Sequence, residues 1–248
     1  MASDGSRVSL AIVIPAYNEE RWLPATVTRL QESLRHLSID DAEVEIAVVD
    51  NASDDSTAAV ATKLGCRVVR EPVRGIARAR NAGARATAAQ TLFFVDADTI
   101  LPLEAVAKVC EVMRSGSYAG GAFIADYQPE KRMLRLYHEA WARYAAKRNM
   151  TQGVAQFCDR EFFTRLGGYD TSLHMGEDND FFWRLTAAAA DRGLGVYVDP
   201  VLRVLPSTRR LDQWPVWRTL LWTNPWTIKL FRRSSRFWRH WYGDRTPR

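Results

Sequence analysis

Cysteine is scarce and poorly placed for cross-linking: the 248 residues hold three, Cys66, Cys110 and Cys158, odd in number and far apart. They offer neither a disulfide framework nor the close Cys pair of a zinc site, so a reducing compartment is the expected setting. Long apolar runs are missing too. The first, Val8 to Pro15, falls well short of the ~20 residues of a membrane-spanning helix and lacks the layout of a signal peptide, so no secretion signal is expected. No internal repeat, low-complexity tract or long linker divides the chain, which predicts one continuous domain with a C-terminal appendage. Hydrophobic residues at 47% and charged residues at 25% exclude a disordered or fibrous chain.

Charge is ordinary in amount and uneven in distribution. The formal net charge is +5, yet from Arg203 onward there are eleven Lys or Arg against two Asp or Glu, while residues 1–202 hold 23 against 27. The same tail carries six of the nine tryptophans: Trp214, Trp217, Trp222, Trp226, Trp238 and Trp241. A near-neutral body with a basic, Trp-rich tail predicts a tail that meets something anionic and partly apolar. Nothing in the body reads nucleic-acid bases.

The first hundred residues alternate strand and helix patterns. Val8–Ile14 and Val44–Val49 are apolar runs of the kind buried on both faces, Cys66–Val69 is short and apolar, and Thr91–Val95 reads as another strand. Between them, Leu23, Val27, Leu30, Leu34 and Leu37 recur at helical spacing, an Ala-rich helix ends near Leu64, and Ile76–Ala89 is helical. Alternation at this spacing predicts a mainly parallel sheet whose ligands bind beyond the carboxyl ends of its strands. The residues at those ends, Pro15–Glu20, Asp50–Ser56 and Asp96–Asp98, are polar. Beyond them, a helix starts near Pro102, Gly120–Asp126 and Gly153–Asp159 read as strands, and Glu130–Lys147 and Glu177–Ala190 as helices. Gly193–Val198 and Val201–Leu205 read as two further short strands.

Four constellations carry chemistry. In Phe93-Phe94-Val95-Asp96-Ala97-Asp98, strand alternation would point both carboxylates the same way, where an oxygen-loving divalent ion such as Mg²⁺ or Mn²⁺ would relieve their repulsion. The other reading is a capping turn before the next helix. Asp50 suits either a turn or a hydrogen bond to a ring N–H of a nucleobase. Arg74–Gly83 opens a helix and carries two further arginines, Arg78 and Arg80; they fit a solvated face or the cradle of a diphosphate. Gly176-Glu177-Asp178-Asn179-Asp180 opens another helix; its acids suit the helix dipole, or one of them serves as a general base.

Taken in order, PAYNEE (15–20), VVDNASDDST (48–57), RGIARARNAG (74–83), FFVDADTILP (93–102), GGYD (167–170) and GEDNDFFWRL (176–185) resemble the family 2 glycosyltransferases, inverting nucleotide-sugar enzymes of the GT-A fold. The resemblance covers roughly the first two hundred residues. It implies an α/β, Rossmann-like GT-A domain over residues 1–205, with a nucleotide-binding half (1–100) and an acceptor half (101–205), followed by a Trp/Arg-rich helical appendage over 206–248. It implies donor contacts from Pro15, Ala16, Tyr17, Glu19, Asp50, Arg80, Asp96 and Ala97, with Arg80 approaching the diphosphate. Asp96 and Asp98 become the site of a divalent cation, Asp98 its more direct ligand. Asp178 becomes the base that deprotonates an acceptor hydroxyl, with Glu177 its neighbour in the acceptor site.

Two departures stand out. Asn51 follows Asp50 where many relatives carry a second acid, which would alter base recognition. Some relatives supply a late histidine to the metal, but none lies here between His174 and His240; Ser207, Arg209 and Arg210 occupy that region, as phosphate contacts or as a solvated basic turn. A rival class, the sugar nucleotidyltransferases, would open with a Gly-rich basic loop after the first strand, and PAYNEE is neither. A non-catalytic nucleotide-binding relative is the other rival, opposed by the presence of Asp50, Asp96, Asp98 and Asp178. The tail reads in two ways: as a cover packed on the domain, or as a membrane-interface segment that brings a cytoplasmic enzyme to the inner face of the membrane and to a lipid-linked acceptor.

Overall fold

A computed structural model describes residues 8–35, 42–147, 151 and 153–238. Its first half runs β1 (Val8–Ala16), α1 (Leu23–Arg35), β2 (Ala42–Asp50), α2 (Thr57–Lys63), β3 (Arg67–Arg70), α3 (Ile76–Ala86) and β4 (Thr91–Val95). Its second half runs β5 (Thr99–Ile100), α4 (Ala105–Arg114), β6 (Tyr118–Ala125), α5 (Arg132–Lys147), β7 (Ala155–Asp159), α6 (Arg160–Arg165), α7 (Glu177–Ala190) and β8 (Gly195–Pro206). The short helices α8 (Arg209–Gln213), α9 (Val216–Trp222) and α10 (Pro225–Phe231) follow. Leu37, expected in the first helix, and Trp241 lie outside the described residues.

One eight-stranded sheet runs in the order β3-β2-β1-β4-β7-β6-β8-β5. The β3-β2-β1-β4 half is parallel throughout, as the strand–helix alternation predicts. The other half is mixed: β7 runs antiparallel to both β4 and β6, β8 parallel to β6, and β5 antiparallel to β8. The alternating side chains of each strand feed two cores. Leu10, Ile12 and Ile14 of β1 face Leu23, Val27 and Leu30 of α1 and Ala105, Val106 and Val109 of α4. Ala11 and Val13 face the opposite way, into the alanines of α3 and the aromatic cluster of Phe163, Tyr169 and Phe181. Two-sided burial is what continuous apolar runs demand.

The sequence predicts two short strands near the end of the domain; they are one, β8, with an irregularity. Asp199, almost fully buried, accepts hydrogen bonds at Oδ1 from the N–H groups of Val201 (2.8 Å) and Leu202 (2.6 Å). The register to β6 slips between Ala122 and Ile124 at that point. The polar residue that reads as a break in the sequence holds a bulge together instead.

Three of the tail tryptophans, Trp214, Trp222 and Trp238, form a small core of their own with Met175, Ile228 and Phe237. It docks on the body through His174 N–H to Arg232 C=O (2.7 Å) and through Lys131 Nζ to the carbonyls of Asp212 and Trp214, both 2.6 Å. For these residues the packed reading of the tail holds.

Candidate active site

Three loops meet at the carboxyl edge of the parallel half. The β1 and β2 loops interlock: Asn51 N–H donates to Ala16 C=O (2.8 Å), Glu19 N–H to Thr57 Oγ1 (2.8 Å) and Asp54 N–H to Asn18 Oδ1 (2.8 Å). Pro15 and Ala16 are buried in β1. Tyr17 is half-buried at the mouth, with the Arg74 guanidinium carbon 3.3 Å from its ring centroid. Asp50 Oδ1 accepts from Ser53 N–H (3.1 Å), the turn role open to it.

Asn51 sits elsewhere than its motif position suggests. It is buried, donating from Nδ2 to the carbonyls of Glu71 (3.0 Å) and Val73 (2.8 Å) and accepting from Gly75 N–H (2.7 Å). It staples the β2 terminus to the loop that opens α3, with both ends of its amide engaged.

Strand alternation does not align Asp96 and Asp98, because β4 ends at Val95. The two carboxylates stand on a turn closed by Thr99 N–H to Asp96 C=O (3.2 Å) and held by Asp96 N–H to Val154 C=O (3.1 Å). Ala97 is buried beneath them, its carbonyl accepting from Thr26 Oγ1 (2.8 Å). Burial pushes Asp96 up to about 6 against the pull of Arg80, and Asp98 adds to the rise. Burial likewise pushes Asp98 up to about 6, with Arg209 opposing and Glu19 reinforcing.

Arg80 is the hub of the site. At 1% exposure it belongs to no solvated face. Nη1 donates to Glu177 Oε1 (2.9 Å), while Nη2 donates to Asp96 Oδ1 (2.9 Å) and to Gly153 C=O (3.0 Å). Burial alone would lower its proton affinity, but the charges of Asp96, Glu177 and Asp178 more than offset that and hold it protonated. The helix acids divide the work among themselves. Glu177 is buried against Arg80, Asp180 pairs with Arg184 Nε (2.8 Å), and Asp178 Oδ2 accepts from Gly153 N–H (2.7 Å). Gly153 thus touches both the hub and Asp178, and an added Cβ there would run into the Asp178 side chain.

The GGYD turn is fixed from two sides. Asn81 clamps the Tyr169 backbone, Nδ2 to C=O at 2.9 Å and Oδ1 from N–H at 3.0 Å. Arg184 donates to the carbonyls of Leu166 and Gly168, both at 2.9 Å. Gly168 has φ +69° and lies where a side chain would strike Asn81 Oδ1, so only glycine suits it.

Arg209 reaches back from the start of α8. Its guanidinium forks onto Glu19, Nη1 at 2.8 Å from Oε2 and Nη2 against Oε1, and Nη2 lies 3.3 Å from Asp98 Oδ2. Tyr127 escapes sequence reasoning altogether. Burial first, then the charges of Asp96, Asp98 and Asp178, raise its hydroxyl far above the usual phenol range; its ring stacks on His138 with centroids 5.1 Å apart. Its only sequence signal is its place just after a strand, in a stretch without a motif.

The model of the family described as Glycosyl transferase family 2 matches residues 11–167, and the chain belongs to that family. An uncharacterised glycosyltransferase of Haemophilus influenzae is 28% identical over 192 residues, covering 71% of this chain and 61% of its own length. A dolichyl-phosphate hexose transferase of Haloferax volcanii is 27% identical over 139 residues, 55% of this chain and 58% of its own. The chain thus spans less than two thirds of these relatives. Among solved structures, the mannosyltransferase PcManGT from Pyrobaculum calidifontis, in complex with GDP-Man and Mn²⁺, superposes with a TM-score of 0.62 at 21% identity over 97% of this chain and 65% of its own. Staphylococcus aureus TarS 1–349 in complex with UDP-GlcNAc gives 0.63 at 14% identity over 81% and 59%. The fold is of the GT-A type that these structures share.

Proposed function

We propose that the chain is an inverting transferase that moves a sugar from a nucleotide-diphospho-sugar to an acceptor hydroxyl by direct displacement. The observation that carries this reading is the convergence on Arg80. One guanidinium ties the Asp96 turn to the helix that bears Asp178, through Glu177 and Gly153. Asp178 takes the acceptor proton as the acceptor oxygen bonds to the anomeric carbon and the bond to the diphosphate oxygen breaks. Glu177 and Arg80 hold the Asp178 segment at its distance from the Asp96 turn, and Tyr17 and Asp50 at the mouth meet the base and ribose.

The donor set fits a divalent cation. Glu19, Asp96, Asp98, Glu177 and Asp178 outnumber the arginines that oppose them, and all supply oxygen. Among the described residues no three His, Cys, Asp or Glu form a complete cage, so Asp96 and Asp98 would share an Mg²⁺ or Mn²⁺ with water and phosphate oxygens. Such an ion supplies charge stabilisation to the departing diphosphate. Arg80 on Asp96 and Arg209 on Glu19 and Asp98 are cations of the chain itself that already stand at that place.

The relative that carries a dolichyl-phosphate name supports a lipid-linked acceptor. The three cysteines, all buried free thiols, support work on the reducing, cytoplasmic side of a membrane. Asp178→Asn tests the central role: it should bind donor normally by thermal shift in Mn²⁺ and lose ~10²–10⁴-fold in turnover. Near-normal turnover would remove Asp178 as base and favour an already ionised acceptor, such as a lipid phosphate, which has no proton to give.

A further inference from the structure

The tail tryptophans divide into two sets. Trp214, Trp222 and Trp238 are buried together in the small core beneath α8–α10. Trp217 at 66% exposure and Trp226 at 78% take no part in that core, and Leu221 and Leu230 stand beside them at 47% and 76%. Trp217 and Leu221 are four residues apart on α9, as are Trp226 and Leu230 on α10, so each helix turns one Trp–Leu pair outward. Four large apolar side chains left in water on two adjacent helices exceed what packing needs.

The charge along this stretch of the sequence has one sign. From Gln213 to Trp238 the sequence carries Arg218, Lys229, Arg232, Arg233 and Arg236 and no acidic residue. Arg218 lies over the Trp214 ring (4.2 Å) and Arg233 reaches Asp170 (3.3 Å), whereas Lys229 and Arg236 are exposed. Indole rings beside cationic groups suit the headgroup layer of a bilayer, where the ring sits at the polar–apolar boundary and the cations meet anionic lipid. Among the described residues no helix is long and apolar enough to cross a membrane, so the contact is a surface one.

We propose that the outward faces of α9 and α10, anchored by Trp217, Leu221, Trp226 and Leu230 and steered by Lys229 and Arg236, form a docking platform for an anionic lipid surface. The platform is tied to the site through α8, whose Arg209 holds Glu19 and Asp98 while its carbonyls hold Lys131 of the loop before α5. A bilayer under α9 and α10 is therefore within one short helix of the donor loops. Membrane binding here does not depend on the assigned chemistry, and the two can fail separately.

The test is flotation of the full chain with vesicles of pure phosphatidylcholine and with an equimolar mixture of phosphatidylcholine and phosphatidylglycerol. The chain should float with the mixture, stay behind with the neutral vesicles, and release as salt is raised. Trp217→Ser with Trp226→Ser, and separately Lys229→Glu with Arg236→Glu, should each weaken binding by at least about tenfold. Unfolding temperature and the donor-induced thermal shift should stay unchanged, since all four side chains are exposed and none belongs to the buried core or to the site. Equal flotation of the variants, or of the wild type on neutral vesicles, would overturn the proposal. So would a concentration-dependent dimer abolished by the same serines, which would give the face to a second copy of the chain.

Discussion

An amide and an ionised carboxylate have nearly the same shape, yet at position 51 only the amide can serve. Asn51 Nδ2 supplies the donors for two carbonyls, those of Glu71 and Val73. A carboxylate there presents oxygens to oxygens. Asn51→Asp should therefore lower stability by about 2 kcal/mol or more, read as a shift of the urea midpoint, because two carbonyls lose partners and an anion is left buried. Its nucleotide preference should not change, since the side chain faces the α3 loop and not the mouth; a variant as stable as the wild type would undo this account. The residue also marks where sequence reading stops. Motif position makes Asn51 look like a base-recognition residue, and only its three bonds show it as a staple. Asp50 takes its turn role, whereas Asp96, Asp98 and Asp178 are legible as candidates because they stand in groups of acids at a strand end and a helix start. Tyr127 is not, because a tyrosine after a strand is common and its partners are distant in the chain.

At the scale of elements, the start of β7 and the start of α7 are packed so closely at Gly153 that they behave as one piece. Gly153 gives its carbonyl to Arg80 and its N–H to Asp178, and it has no room for a side chain. Gly153→Ala should push Asp178 off its bond and move it relative to the Asp96 turn. The expected result is a turnover loss of roughly 10²-fold with donor affinity little changed, together with a stability loss of about 1–3 kcal/mol from overpacking. Steady-state kinetics beside a denaturation curve separates the two effects, and an alanine variant with wild-type turnover would mean that Asp178 is placed by other contacts. Element identity is readable here and element direction is not. The apolar run at 153–159 announces a strand, but nothing in a short buried run says whether it pairs parallel or antiparallel. That is decided by which neighbours it meets: β7 enters between β4 and β6 and runs against both. For the same reason the pattern makes strand neighbours of Asp96 and Asp98, which in fact share a turn. The local pattern continues past Val95, while the ladder stops there.

Across the whole molecule the site concentrates buried carboxylates, and that has a consequence for stability against pH. Burial pushes Glu177 up to about 7, Asp178 adds to the rise, and Arg80 opposes it. The groups that face it are Arg80, Asp178 and, beyond the guanidinium, Asp96. In the unfolded chain the same carboxyl titrates near its ordinary value of 4.5. Between these two values the folded state binds more protons than the unfolded one, so folding stability must fall as pH rises from about 4.5 to about 7 and level off above. Asp96 and Asp98, raised by burial as well, add slope of the same sign. Thermal unfolding without divalent cation, followed from about pH 5 to about pH 8, should show this decline. Glu177→Gln keeps an acceptor for Arg80 Nη1 but cannot ionise, so its curve should be shallower than the wild type's in the same window while Asp96 and Asp98 still tilt it. Parallel curves for the two proteins would mean that Glu177 is ionised at low pH in the folded state, with Arg80 winning over burial. A shallower one would mean that the fold keeps its hub at the cost of holding a carboxylate where water would have ionised it more readily.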